Sequence, residues 1–209
     1  MFDEIYRRLC GHPITTVDIT AVLKIILTSY FSEKDNILHT GLKDRIFADT
    51  DGPGLTIEAA SAFVPNIAER RPAIIIRRGE WKNVQEGFYG GAIQDASINT
   101  YVRMIAGSHN IICIGKTPGE TEILGDEVFR LFAHITPKLL TNSCLDTFRV
   151  AGLSEVKSLH EGRDHYAAMI QVMYRFHETW EIEIEPVTTT TSEPVTTTTI
   201  EPTTTTPEP

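Results

Sequence analysis

Gly115-Lys116-Thr117 comes nearest to a reactive motif in this 209-residue chain. It follows an apolar run and precedes a helix signal, where a phosphate-binding loop places its lysine and backbone N–H groups. The full motif needs a glycine five positions before Gly115 and a flexible loop between the two. Position 110 is Asn, and Ile111 to Ile114 is apolar, with no room for that loop. Lys116 therefore reads as a turn lysine beside a helix cap. Other chemistries fail on similar grounds. The histidines are His12, His39, His109, His134, His160, His165 and His177, and none stands at a zinc spacing from Cys or Glu. His134 flanks an apolar helical stripe and reads as a partly buried helix residue. No nucleophile elbow is present. Cys113 lies within an apolar strand, so burial is expected in place of reactivity. No catalytic residue, metal ligand or cofactor is assigned, and the chain reads as a non-enzyme.

What remains is a capacity to bind. Arg70-Arg71 and Arg77-Arg78 bracket Pro72-Ala73-Ile74-Ile75-Ile76. They are either solvated strand ends that discourage edge pairing or contacts to acidic neighbours in an assembly. Beyond them lie Trp81, Lys82, Phe88 and Tyr89. The aromatics either fold back onto the core or anchor a protein interface, where aromatics and Arg are enriched. Arg77, Arg78, Trp81, Lys82, Phe88 and Tyr89 are the candidate interface residues.

These groups must be positioned by an α+β framework. Ala73 to Ile76 reads as a central strand buried on both faces, since a short β-branched run suits a packed pleated surface. Pro72 fits only at its first residue. Phe2 to Leu9 is expected as a short helix. Val17 to Phe31 is expected as a second, with Thr15, Thr16 and Asp18 offering caps. Residues 32–54 have mixed character. Leu55, Ile57 and Ala59 alternate with Thr56, Glu58 and Ala60 as a half-exposed strand. Glu80 to Asn99 reads as a long loop, a length that is usually functional or disordered. Thr100 to Ala106 is a strand, Gly107-Ser108-His109-Asn110 a turn, and Ile111 to Ile114 a further strand. Thr117-Pro118-Gly119-Glu120 is a capping box that opens a helix striped by Leu124, Val128, Leu131, Phe132 and Ile135. Pro137 should stop or kink it. Phe148 to Leu159 and His165 to Glu183 are the final strands. The sum is a mixed, mainly antiparallel sheet with helices packed on one face.

Residues 1–184 make one domain of ordinary size. From Glu185 the sequence repeats Glu-Pro-Val-Thr-Thr-Thr-Thr, with almost nothing to bury, so residues 185–209 are expected to be disordered. Four glutamates and no bases fall in that tail, so the body carries −5 of the net charge of −9. A mildly acidic body argues against general nucleic-acid binding. Cys10, Cys113 and Cys144 are odd in number and widely spaced, which suggests reduced, packed thiols in an intracellular setting. Asp3 and Glu4 argue against a signal peptide, and no apolar run reaches membrane-spanning length.

The body resembles the tail-terminator and neck proteins of tailed bacteriophages. The resemblance covers about Leu55 to Ile184 and the early helix. It rests on Arg71-Pro72-Ala73-Ile74-Ile75-Ile76-Arg77-Arg78-Gly79 followed by a long loop, then a strand–helix unit carrying Glu122 and Asp126-Glu127-Val128-Phe129. Phe148-Arg149-Val150-Ala151-Gly152-Leu153 follows, and His165-Tyr166 leads a strand closing at Trp180. It implies an α+β fold assembled as a ring, usually of six copies, between tail tube and head connector. The implied partners are the ring itself, the tail tube protein and a connector or stopper, with DNA only passing through the lumen and no membrane. The implied location is the virion, assembled in the host cytoplasm. No cofactor is implied. The alternatives are another minor virion protein, such as a stopper or adaptor, or an enzyme or small-ligand protein with an unrecognised pocket. The tail lies outside the family pattern.

Overall fold

A computed structural model describes residues 1–10, 12–48, 54–62, 72–84, 92–94, 98–159 and 165–183. The tail from Glu185 lies outside them. The chain opens with α1 (Phe2–Leu9) and α2 (Thr16–Phe31). Thr15 begins α2 with a full capping box. Its Oγ1 accepts from the Asp18 N–H at 3.3 Å, and Asp18 Oδ2 accepts from the Thr15 N–H at 2.9 Å. A 3₁₀ turn (Lys34–Asn36) and a short helix α3 (Thr40–Ile46) follow. They occupy a stretch whose sequence carries only Leu42 and Ile46 as helical anchors.

Strands β1 (Thr56–Ala59), β2 (Ala73–Val84), β3 (Ala92–Gln94) and β4 (Ile98–Gly115) precede the long helix α4 (Pro118–Thr141). Then come β5 (Leu145–Leu153), β6 (Lys157–Ser158) and β7 (Tyr166–Glu183). The sheet runs β1-β2-β4-β7-β5, with β3 on β4 and β6 on β7. Among the described strands only the β1–β2 pair is parallel. The fold is thus α+β with a mixed, mainly antiparallel sheet. Its spine is β4–β7, paired from Ile98↔Glu183 to Gly115↔Tyr166.

Side chains alternate across a strand. Ile105, His109, Ile111 and Cys113 of β4 face the helices, as do Ala168, Ile170, Val172, Tyr174 and Phe176 of β7, and all are buried. Ile74 and Ile76 join them, packed with Leu23, Ile26 and Leu27 of α2 and Leu124, Val128 and Phe132 of α4 in one core. Ala73, Ile75 and Ile114 form a separate small cluster on the opposite side, with Ile112, Leu159 and Ala167 against it. The Ile74 strand is therefore buried on both faces, as its composition predicts.

The structure corrects several sequence expectations. Gly107 to Asn110 is not a turn. β4 passes straight through, paired to β2 and β7 on either side. Gly107 is needed for close approach, because a Cβ there would lie 2.5 Å from Tyr174 Cε2. Glu80 to Asn99 is not one loop, since β2 continues to Val84 and β3 covers Ala92–Gln94. Pro137 does not stop α4, which continues to Thr141. Pro137 and Ala133, whose carbonyl the proline leaves unbonded, are both exposed, so water can reach that carbonyl. The strand expected over Phe148–Leu159 starts at Leu145 and breaks after Leu153. Cys10 and Cys144 are not reduced thiols: they are joined as a disulfide, Cα–Cα 5.5 Å. His134 is exposed rather than partly buried, with Nδ1 3.0 Å from the Arg130 carbonyl.

Candidate interaction surface

Directly opposed residues of antiparallel strands share a face. Arg78 stands opposite His109, so it lies on the helix side, whereas Arg77 stands opposite Asn110 on the open side. The register then shifts at a bulge between Arg78 and Trp81. The Glu80 N–H there donates to Ser108 Oγ at 2.9 Å. A Cβ on Gly79 would lie 2.4 Å from the same oxygen, so the bulge closes only over glycine. The extra residue reverses the alternation. Trp81 comes opposite Gly107 on the helix side, and Lys82 opposite Ala106 on the open side. The six candidates are therefore not one loop cluster. Arg77 and Lys82 are exposed on the open face. Lys82 Nζ is 3.6 Å from Glu80 Oε1. Trp81 is half-buried, its ring tilted against Phe176 at 5.4 Å and edge-on to Tyr174 at 6.1 Å. Phe88 and Tyr89 lie outside the described residues, as do Arg70 and Arg71.

The open face is apolar at one end and polar at the other. Ile112, Ala167 and the exposed Met169 adjoin the Ala73–Ile75–Ile114 cluster. Toward Arg77 and Lys82 lies a shallow depression of about 150 Å³, bordered by Gly79, Ser108, Asn110, Gln171 and Met173. Asn110 Oδ1 is buried and has no hydrogen-bond partner among the described residues.

Three buried polar groups tie the helices to the sheet and to one another, and of these the sequence pointed only to Glu120, as a capping-box residue. His109 is fully buried beneath α2. Thr20 donates its hydroxyl to the Thr16 carbonyl at 2.8 Å, which leaves its oxygen to accept from His109 Nε2–H at 2.9 Å. His109 Nδ1 then accepts from the Tyr174 hydroxyl at 2.9 Å. Both ring nitrogens are used only by the neutral imidazole. Burial, aided by the nearby Arg78 charge and opposed by a bond to the Thr16 backbone, lowers its pKa to about 4. Burial pushes the Tyr174 phenol well above its ordinary value. Its inward place on β4, between Ile105 and Ile111, was hidden by the Gly107–Asn110 run, which reads as a turn.

Glu127 is the second group. Its Oε1 accepts from the Tyr30 hydroxyl at 2.5 Å and the Leu38 N–H at 2.8 Å, joining α2 and the α3 approach to α4. Burial, then the bond to Glu127, pushes the Tyr30 phenol far up. Glu120 is the third. Thr117 Oγ1 accepts from its N–H at 3.2 Å, as the capping box predicts. Its carboxylate, however, reaches past Thr117 to the Lys116 N–H at 2.7 Å, with Arg45 Nε at 2.9 Å as a charge contact. The amide that a phosphate would use next to Lys116 is already occupied by a carboxylate.

Cys113 is fully buried and its thiol pKa is pushed far up by burial, which keeps it protonated. Among the described residues, no group of three or more His, Cys, Asp or Glu is placed to hold a metal ion. No helix among them is long and apolar enough to cross a membrane. No protein-family model matches the chain, and no curated protein sequence matches it.

Proposed function

We propose that this protein is a structural ring component at the head–tail junction of a tailed bacteriophage. It caps the tail tube and joins it to the head connector. The observation that carries the reading is the open face of the sheet. It presents an apolar end (Ile112, Ala167, Met169) and a basic end (Arg77, Lys82) on long, paired strands. A binding surface on paired strands keeps its geometry better than one on loops. Repetition around a closed ring multiplies each weak contact. The resemblance in the Arg71–Gly79 strand and the strand–helix unit supports the phage setting. The partners are further copies of the chain, in the six-fold number the family resemblance implies, the tail tube protein and a connector or stopper. Charge at Arg77 and Lys82 sets orientation and encounter, and the apolar end supplies affinity. The protein acts without a cofactor, and DNA only passes through the lumen.

The test is a virion made without this protein and complemented by variants. Its absence should give tails of uncontrolled length or full heads lacking tails. Arg77→Glu with Lys82→Glu should reproduce part of that defect while the isolated protein keeps its melting temperature. Normal virions in the absence of the protein would end the proposal.

A further inference from the structure

The first helix is held by little. α1 has eight residues, too few for a helix to persist in water without tertiary contacts. Only Ile5 and Leu9 are fully buried. Beneath its start, a cavity of about 300 Å³ lies open between α1, α2 and α4, lined by Phe2, Ile26, Tyr30, Leu131, Ile135 and Lys138. Its other end is tied covalently, from Cys10 at the C-cap to Cys144 in the link between α4 and β5. Cys144 is exposed. An attacking thiolate can therefore reach this bond without the core opening, whereas Cys113 is sealed inside.

We propose that the Cys10–Cys144 disulfide is an exchange site for a dithiol, and that its reduction releases α1 from the groove between α2 and α4. One thiolate of the dithiol attacks Cys144 Sγ, forming a mixed disulfide and expelling Cys10 as thiolate. The second thiolate then displaces Cys144. The dithiol leaves as its disulfide, two electrons pass to the protein, and both cysteines take up protons. The inference is independent of the functional reading, because it concerns the tether of the helix and not the open sheet face.

The experiment is hydrogen exchange on the full chain before and after treatment with dithiothreitol, with Cys144→Ser as a second route to the untethered state. Alkylation under denaturing conditions should find one thiol, Cys113, before treatment and three after. Exchange across residues 2–9 should rise about tenfold or more on reduction, as expected for local opening. β4 and β7 should keep their protection. Cys144→Ser should match the reduced protein without any reductant. Three free thiols before treatment, equal protection of α1 in both states, or loss of protection across the whole sheet would each overturn the proposal.

Discussion

His109 should make the stability of this protein fall with acidity in a window that a single substitution removes. The folded protein holds it neutral, with a pKa of about 4, against about 6.5 in the unfolded chain. Between those values the unfolded state binds a proton that the folded state refuses. Stability from this group is therefore complete above about pH 6.5 and declines as pH falls toward 4. Each pH unit within the window is worth about 1.4 kcal/mol, so the loss is about 2 kcal/mol at pH 5 and about 3 kcal/mol across the whole window. The groups facing the ring are Arg78 of β2, Thr16 and Thr20 of α2, and Tyr174 of β7, and none offers a negative charge to hold an imidazolium. His109→Gln cannot titrate, while its amide can still meet Thr20 and Tyr174. The assay is urea unfolding of both proteins at pH 7.5, 6, 5 and 4.5. Carboxylates elsewhere titrate in both, so the quantity of interest is the difference between the two curves. The wild type should start more stable at pH 7.5 and lose its advantage by pH 5. Parallel curves would refute the reasoning, showing that water or a carboxylate reaches the ring.

Two further outcomes follow from the same geometry. Gly107→Ala should cost about 1–3 kcal/mol, read from the urea midpoint at unchanged slope, because the added methyl meets a Tyr174 ring that His109 holds in place. ATP and GTP should leave the melting temperature unchanged, since Glu120 fills the Lys116 amide. A nucleotide shift abolished by Lys116→Ala would overturn that.

What the sequence disclosed was what neighbouring residues decide among themselves. Thr15, one of three cap oxygens the sequence offered, closes its box with Asp18 within one turn, and the isoleucine run declares a buried strand whatever lies beside it. Gly107 deceived because its reason lies in Tyr174, on another strand. With the partner unknown, glycine followed by serine, histidine and asparagine reads as a turn. The disulfide joins residues separated by 134 positions, and nothing in their spacing reports that the ends of α1 and α4 meet. Glu127 looked like one more charge on a helix, because Tyr30 and Leu38 reach it only after α2 has packed. The candidate surface suffered in the same way. A bulge fixed by Ser108 cannot be seen from β2 alone, and it decides which side Trp81 and Lys82 face.

That bulge allows the two adjacent arginines to be told apart. Arg77 and Lys82 share the open face, so an assembly contact there should respond to both and ignore Arg78. Arg78 instead borders His109, and its charge helps hold the imidazole neutral. Removing that charge should raise the folded pKa of His109 toward its unfolded value, which narrows the window over which acid destabilises the fold. Arg78→Gln should therefore flatten the wild-type pH profile toward that of His109→Gln and leave the proposed ring assembly untouched. Arg77→Gln should do the reverse, leaving the pH profile as it was and weakening assembly. If both substitutions weaken assembly equally, the partner straddles the β2 edge and the open-face assignment fails. If both leave the pH profile alone, burial by itself sets the His109 pKa.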